Sequence, residues 1–236
     1  LDFFKKKIIY ILTFLFYRKA DLLICNSKKT SEDFSKLIKK NTISIYPQPI
    51  EKLKKFKPRK INKTFEILTI ARLSKEKRIE DIILALSNLN ISKFRLNIIG
   101  DGYLKKKLLN LAKIKKVPIS IFKYNYENER AGFKKAHLYI NSSDFEGFPS
   151  TVVQALNESI PALCSKSHGG IYEILNFGKL GKFYQPRDYV ELSNKIEKIY
   201  YNYDSTIQTL EKNKLYLKKF LNEKNFTKYN KLFQKI

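Results

Sequence analysis

From residue 65 onward the chain alternates short, continuously apolar, β-branched runs with stretches of helical period. The runs are FEILTIA, FRLNIIG, VPISIF, HLYINSS, IPALCSK and LGKFYQ. Helices are predicted between them from about Lys77, from about Tyr103, near 128–136, from about Ser150 and over 170–176. Strands that are apolar throughout have to be covered on both faces, and the intervening helices are long enough to supply that cover. Right-handed crossovers then give one parallel sheet of doubly wound, Rossmann-like α/β type. In such a sheet ligands bind beyond the carboxyl ends of the strands.

Residues 20–50 read as one more βαβ fragment: ADLLICNS, a helix around 30–39, and TISIYP. The Pro- and Lys-rich stretch KKFKPRKINK follows. The expected division is a partial second α/β domain over 1–50, a linker over 51–64, the main domain over 65–204, and carboxy-terminal helices over 205–236. With 236 residues, 43% of them hydrophobic, the chain sustains one such core and part of a second. It starts at Leu1 and holds no methionine, which leaves open whether the segment is the whole translated product. The longest near-apolar run, IIYILTFLFY, is about half of what a spanning helix needs and has no small-residue cleavage site. Lys5–Lys7 and Arg18–Lys19 flank it, so it is suited either to a membrane interface or to docking on protein outside this segment.

Lys and Arg outnumber Asp and Glu by 47 to 22, a formal charge of +25 that attracts phosphate-rich partners or an anionic membrane surface. Seven of the basic residues are Arg (18, 59, 72, 78, 95, 130 and 187), too few forks for base-specific nucleic-acid recognition. Spread over solvated helix faces, the lysines need no partner at all. Cys25 and Cys164 each lie in an apolar run and read as small buried thiols, which fits a reducing cytoplasm.

The polar and glycine-rich segments fall where predicted strands end: 72–78, GDG at 100–102, SDFEGFPSTVVQ, and SHGG at 167–170. Arg72 and Lys77 can reach one phosphate group, Arg as a bidentate fork and Lys as a point charge. Pro149 and Ser150 open a helix whose first amides, Ser150 to Val152, would stand free as an anion cradle. Gln154 lies one turn above it, within reach of a hydroxylated group attached to the anion. Glu146, beside Gly147, would lie over the same spot. A carboxylate there is repelled by phosphate unless it accepts from a neutral, hydroxyl-rich moiety such as a sugar. Asp101 reads either as the N-cap of the next helix or as a ligand contact. Gly169 and Gly170 permit a tight turn into the helix holding Glu173, His168 is a candidate for lining a sugar pocket, and His137 reads as structural.

From about Ala20 to its end the sequence resembles the family 4 glycosyltransferases of the GT-B fold. ADLLICNS and IYPQPIE are similar to that family's last acceptor-domain segments, and ARLSKEKRIEDIILAL to its phosphate-binding loop and helix. RLNIIGDGYLKKKL, SSDFEGFPSTVVQAL and GGIYEIL resemble its next three signatures, and NFTKYNKLF its closing helix. The resemblance implies that the chain is the carboxy-terminal, donor-binding half of such an enzyme. Catalytic roles would fall to Arg72, Lys77 and Glu146, with Arg72 and Lys77 on the donor diphosphate and Glu146 on the transferred sugar. The donor-binding set would be completed by Asp101, Gly102, Gly147, Phe148, Pro149, Ser150, Thr151, Val152 and Gln154. It also implies retention of anomeric configuration and leaving-group stabilisation with no metal and no cofactor beyond the nucleotide-sugar donor.

Two positions depart from the family pattern. Gln154 stands where a second Glu holds the ribose hydroxyls, keeping a carbonyl acceptor but losing the charge. Lys123 stands where a glycine usually opens the base-binding loop. Most of the amino-terminal acceptor domain is also absent from this sequence. The function expected from the resemblance is transfer of a hexosyl or N-acetylhexosaminyl group from a nucleotide-sugar to a glycan or lipid-linked acceptor. The setting is cytoplasmic, peripheral on the inner face of the membrane, with a separately encoded acceptor-domain chain as one way of completing the enzyme. The alternatives are a non-catalytic or decayed sugar-nucleotide binder, and a basic protein of nucleic-acid or membrane surfaces that merely shares the fold.

Overall fold

The computed structural model describes residues 3–47 and 49–234. Helix α1 (Phe3–Tyr17) comes first, followed by β1 (Ile24–Cys25), α2 (Lys28–Ile38) and β2 (Ile43–Ser44). Strands β1 and β2 pair in parallel across α2, the expected βαβ fragment. Residues 51–64 carry no helix or strand.

The main sheet follows, with β3 (Phe65–Ile70), α3 (Ile79–Ser87), β4 (Phe94–Ile99), α4 (Lys105–Ile114), β5 (Ile119–Phe122) and α5 (Tyr126–Lys135). It continues through β6 (Leu138–Asn141), the short β7 (Phe145–Glu146), α6 (Ser150–Asn157), β8 (Ala162–Ser165), the short β9 (His168–Gly169), α7 (Ile171–Ile174) and β10 (Gly181–Tyr184). Helices α8 (Tyr189–Tyr201), α9 (Tyr203–Asn213) and α10 (Asn222–Phe233) end the chain. Six strands pair in the order β10-β8-β6-β3-β4-β5, every pair parallel. The expected Rossmann-like sheet is therefore present.

Each face of the sheet has its own core, and β3 feeds both. Phe65 and Ile67 pack with Ile79, Ile82 and Ile83 of α3, Leu108 of α4 and Leu192 and Ile196 of α8. Leu68 and Ile70 pack with Phe133 of α5, Val152 and Leu156 of α6, Ile171 of α7, and Leu217 and Phe220 beyond α9. This is the two-residue alternation of a strand covered on both sides. Each fully buried Ile or Leu contributes about 1.5–3 kcal/mol.

Strand order also locates the crevice. The chain runs from β3 outward through β4 and β5, then crosses back to lay β6 against the other side of β3. Beyond the carboxyl ends of β3 and β6 the crossovers therefore diverge to opposite faces, and a gap is left between them.

The carboxy-terminal segment returns to the start of the linker, with a bridge between Ile50 and Leu221 and the Asn222 amide donating to the Ile50 carbonyl at 3.0 Å. Buried Lys214 fixes the same region by donating to the Asn157 carbonyl at 2.7 Å and the Ser159 hydroxyl at 2.9 Å. Among the described residues no helix is long and apolar enough to cross a membrane. Cys25 and Cys164 are free and buried, and burial raises both thiols above their usual range. His137 is structural: it accepts from the Glu66 amide at 3.0 Å, meets the Lys60 carbonyl at 3.1 Å, and stacks on Phe65.

Burial pulls the Lys214 amine down to about 8. In the unfolded chain it titrates near about 10.4, so between about pH 8 and pH 10 the unfolded state holds a proton that the folded state has released. Stability gains about 2–3 kcal/mol through that window from this one group. Urea unfolding at stepped pH should show that gain as a growing difference between the unsubstituted chain and Lys214→Met, since buried tyrosines such as Tyr46 and Tyr203, whose hydroxyls are pushed up by burial, act in the opposite direction in both proteins. Parallel curves for the two proteins would refute the assignment.

Candidate functional site

Four loops rise from the carboxyl ends of four adjacent strands, β8, β6, β3 and β4. The first two to consider, 71–78 and 100–104, are joined backbone to backbone. The Ala71 amide donates to the Ile99 carbonyl at 3.1 Å, Leu73 to Asp101 at 2.9 Å, and Leu104 to Leu73 at 3.1 Å. A Cβ on Gly100 would lie 1.9 Å from the Ala71 carbonyl oxygen, and one on Gly102 2.6 Å from that of Leu73. Only glycine lets the two loops lie this close, so GDG acts as a backbone shelf for the basic loop.

On that loop the two cations diverge. The Arg72 side chain is 79% exposed and, among the described residues, reaches Glu76 alone, at 3.5 Å. Lys77 ends a 3-10 turn (Lys75–Lys77) and is drawn inward, its Nζ donating to Glu146 Oε1 at 2.6 Å. Both side chains of this pair are largely buried. Glu146 Oε1 also accepts from Ser143 Oγ at 2.7 Å and Asn141 Nδ2 at 3.5 Å. The loops are tied further by Ser142 Oγ, which donates to the Lys77 carbonyl at 2.6 Å, and by the Asp144 amide, which donates to the Glu76 carbonyl at 2.8 Å. Arg187 holds Asp144 from outside with a two-pronged contact at 2.9 and 3.1 Å. Sequence reasoning overlooked Asn141 and Ser143 as holders of Glu146 and Ser142 as a tie to the Lys77 loop, although the run of short polar residues NSSD was the available signal.

Glu146 is set by a second shelf. Strands β7 and β9 pair Glu146 with Gly169, whose φ is +115°. A Cβ there would lie 1.6 Å from the Glu146 carbonyl oxygen, so no other residue fits. After Gly147 and Phe148 comes Pro149, and then α6. Its apolar positions Val152, Val153 and Leu156 are fully buried against the sheet, as expected. The Tyr139 hydroxyl, buried beneath the helix, donates to Thr151 Oγ1 at 2.7 Å.

Two expectations need correction. The Val152 amide is not free: it closes a turn to the Pro149 carbonyl at 3.0 Å, because Pro149 sits just outside the helix with its carbonyl turned along the first turn. The cradle consists of the Ser150 and Thr151 amides, which have no partner among the described residues. Asp101 does not cap α4. Leu104 holds that position, and the Asp101 carboxylate instead accepts from the Gly102 amide at 2.8 Å within the shelf.

Gln154 lines a cavity of about 300 Å³ together with Tyr126, Glu129, Arg130, Phe133, Pro49 and Asn157. Its Oε1 is buried and unpartnered, an acceptor waiting for a donor. His168 stands on the opposite flank, more than half exposed, with Nε2 2.6 Å from Asp33 Oδ2 of α2. Among the described residues no cluster of three or more His, Cys, Asp or Glu can hold a metal.

The crevice thus combines an exposed guanidinium, a buried lysine-carboxylate pair, two open helix amides and an orphaned amide oxygen. Residues 51–216 match the family described as "Glycosyl transferases group 1". The chain belongs to that family. Among curated group 1 relatives, it is 29% identical over 174 residues to the N-acetylgalactosamine-N,N'-diacetylbacillosaminyl-diphospho-undecaprenol 4-alpha-N-acetylgalactosaminyltransferase of Campylobacter jejuni, a match covering 71% of this chain and 47% of the relative. It is 26% identical over 169 residues to the lipopolysaccharide 1,6-galactosyltransferase of Escherichia coli, covering 67% and 47%. The chain spans about half the length of these relatives. In fold it is similar to Anabaena HepE solved with UDP-glucose, at TM-score 0.85 and 18% identity over 98% of this chain and 68% of that one. The parallel sheet and its helices match the carboxy-terminal domain of GT-B glycosyltransferases in fold.

The Lys77–Glu146 pair joins the loop after β3 to the loop after β6. A double-mutant cycle of Lys77→Met and Glu146→Gln, read by urea unfolding, should give a coupling of about 1–2 kcal/mol, larger than a solvated pair gives. Additive effects would show that the contact does not organise the site.

Proposed function

We propose that this chain is the donor-binding half of a retaining glycosyltransferase of the family 4 kind. It would transfer a hexosyl or N-acetylhexosaminyl group from a nucleoside diphosphate sugar to a glycan or lipid-linked acceptor. The observation that carries this reading is the Lys77–Glu146 pair across the gap between β3 and β6, on the loop that leads into the open Ser150 and Thr151 amides of α6. Arg72, Lys77 and the α6 amino terminus supply positive charge where a departing diphosphate gains negative charge. Every described donor to Glu146 converges on Oε1, which leaves Oε2 to accept from a sugar hydroxyl. Gln154, which lines the neighbouring cavity, would turn its unpartnered side-chain oxygen to a ribose hydroxyl.

Related and similar proteins support the substrate class. The Campylobacter relative carries a diphospho-undecaprenol acceptor in its name, the Escherichia relative a lipopolysaccharide, and the HepE structure holds UDP-glucose. An acceptor half, in the same polypeptide or in a separate one, would complete the cleft against α1, β1 and β2. Helix α1 exposes Phe4, Ile8, Ile9, Leu12, Leu15 and Phe16, more apolar surface than a solvated helix keeps. A lipid-linked acceptor and a +25 surface together favour work at the cytoplasmic face of an anionic membrane.

Isothermal titration with UDP-, GDP- and ADP-sugars at two salt concentrations tests the donor site. Base-selective binding that survives salt is expected, and its absence would favour a non-catalytic fragment. Arg72→Ala and Lys77→Ala should each weaken binding by about 1.5–3 kcal/mol, the scale of a charge-assisted hydrogen bond. Unchanged affinity in both would overturn the phosphate assignment. Gln154→Glu should strengthen binding by about 1 kcal/mol by restoring a charged acceptor for the ribose, and a loss of affinity there would remove Gln154 from the site.

A further inference from the structure

Glu173 is a 7% exposed carboxylate with no part in the chemistry just described. It lies in α7, directly after the Gly169–Gly170 turn that supports Glu146. Both of its oxygens are spent on the amino-terminal part of the chain. Oε1 accepts from the Lys29 amide in the first turn of α2 at 3.1 Å, and Oε2 accepts from the buried Tyr46 hydroxyl at 2.8 Å. Ser27, the N-cap of α2, takes the neighbouring Thr30 amide at 3.1 Å. The start of α2 is thus satisfied half by its own cap and half by a charge from the donor side.

The surrounding contacts converge on the same joint. The Tyr46 ring lies 5.6 Å from Phe148, which leads into α6, and 5.0 Å from Phe220 of the carboxy-terminal segment. The Tyr216 hydroxyl donates to the Glu173 carbonyl at 2.7 Å, and Lys219 Nζ sits over the Tyr216 and Tyr46 rings. Asn26 and Ser27 abut Gly147 and Gly170 so closely that a Cβ would lie 2.7 Å from the Asn26 amide nitrogen and 3.0 Å from the Ser27 Cβ. The Gly170 amide closes the set by donating to the Gly147 carbonyl at 2.9 Å.

We infer that Glu173 is a positioning residue: its carboxylate latches the acceptor-side helix α2 and Tyr46 onto the donor loop Glu146–Phe148, fixing how that side of the cleft closes over the donor. The inference rests on the donor-site reading for its functional consequence, though not for the latch itself. A carboxylate suits the joint because it offers two acceptors to two donors that come from different directions. Glutamine keeps the shape and can still serve both, with its oxygen to the Lys29 amide and its amide donating to a Tyr46 hydroxyl turned round to accept. Alanine serves neither.

Hydrogen exchange read peptide by peptide, on this chain without any ligand, decides the latch. Glu173→Ala should speed exchange over 28–46 by about tenfold or more while β3 and β4 keep their protection. Tyr46→Phe, which retains the ring packing, should speed the same segment less, and Glu173→Gln should stay within about threefold of the parent. Unchanged exchange over 28–46, equal acceleration of β3 and β4, or a glutamine variant as fast as alanine would each overturn the inference. If the alanine variant does not fold, Tyr46→Phe decides by the same criterion. Titration with UDP-glucose then tests the link to the site, where Glu173→Ala should lower affinity several-fold and Glu173→Gln should not. Selective loosening with parental affinity would overturn the positioning role. Absence of donor binding in the parent chain would instead overturn the donor-site reading, and leave the latch to the exchange result.

Discussion

Backbone lying directly on backbone is what holds the carboxyl edge of this sheet together. Gly100 and Gly102 let the loop after β4 press against the loop after β3, and Gly169 lets the loop after β8 press against the one after β6. Where no side chain intervenes, the amides and carbonyls of neighbouring loops satisfy one another as strands do, so the edge is an extension of the sheet rather than a fringe. The side chains of the crevice inherit their positions from this. Lys77 reaches Glu146 because its loop rests on the GDG shelf and that of Glu146 rests on Gly169. A crevice built this way is rigid before any ligand arrives, which lowers the ordering cost of binding.

Much of this was legible in the sequence. The strands could be placed because a parallel sheet buried on both faces writes itself as continuous apolar runs, and HLYINSS or IPALCSK has few other readings. Arg72, Lys77 and Glu146 were legible as polar residues of the loops at the strand ends. The contact between two of them was not, since Arg72 and Lys77 were assigned to the diphosphate and Glu146 to the sugar, while in the folded chain Lys77 and Glu146 hold each other. Helix starts were read one amide too generously, because Pro149 fixes φ but leaves its carbonyl free to close a turn on Val152. The contacts of Glu173 with Lys29 and Tyr46 lie beyond sequence reading altogether. They join residues more than a hundred positions apart, and although Tyr46 lies in IYPQPIE and Glu173 in GGIYEIL, nothing local pairs one with the other.

Charge is used with more discrimination than a +25 surface suggests. Where orientation matters the chain employs arginine: Arg78 grips buried Asp81 with two bonds, Arg187 grips Asp144 with two, and Arg59 ties the Lys134 and Glu158 carbonyls together. The planar fork fixes both distance and angle, whereas an ammonium fixes only distance. Lysine enters the interior in few places, notably Lys77 and Lys214, each with its hydrogen-bond partners in place. Most other lysines lie at the surface, where their summed charge acts at long range.

The order of the strands also has a history in synthesis. Strand β3 is the central strand of the sheet and the first of the six to leave the ribosome, yet one of its two neighbours, β6, pairs with it only through Ile67–Leu138 and Leu68–Tyr139. At about 5–20 residues per second, several seconds separate the two. Throughout that interval β3, apolar on both faces, has at least one edge of unpaired amides and carbonyls, the form in which a strand most readily joins a neighbouring chain. The gap that becomes the ligand crevice in the finished protein is, in the nascent one, the last seam of the sheet's centre to close.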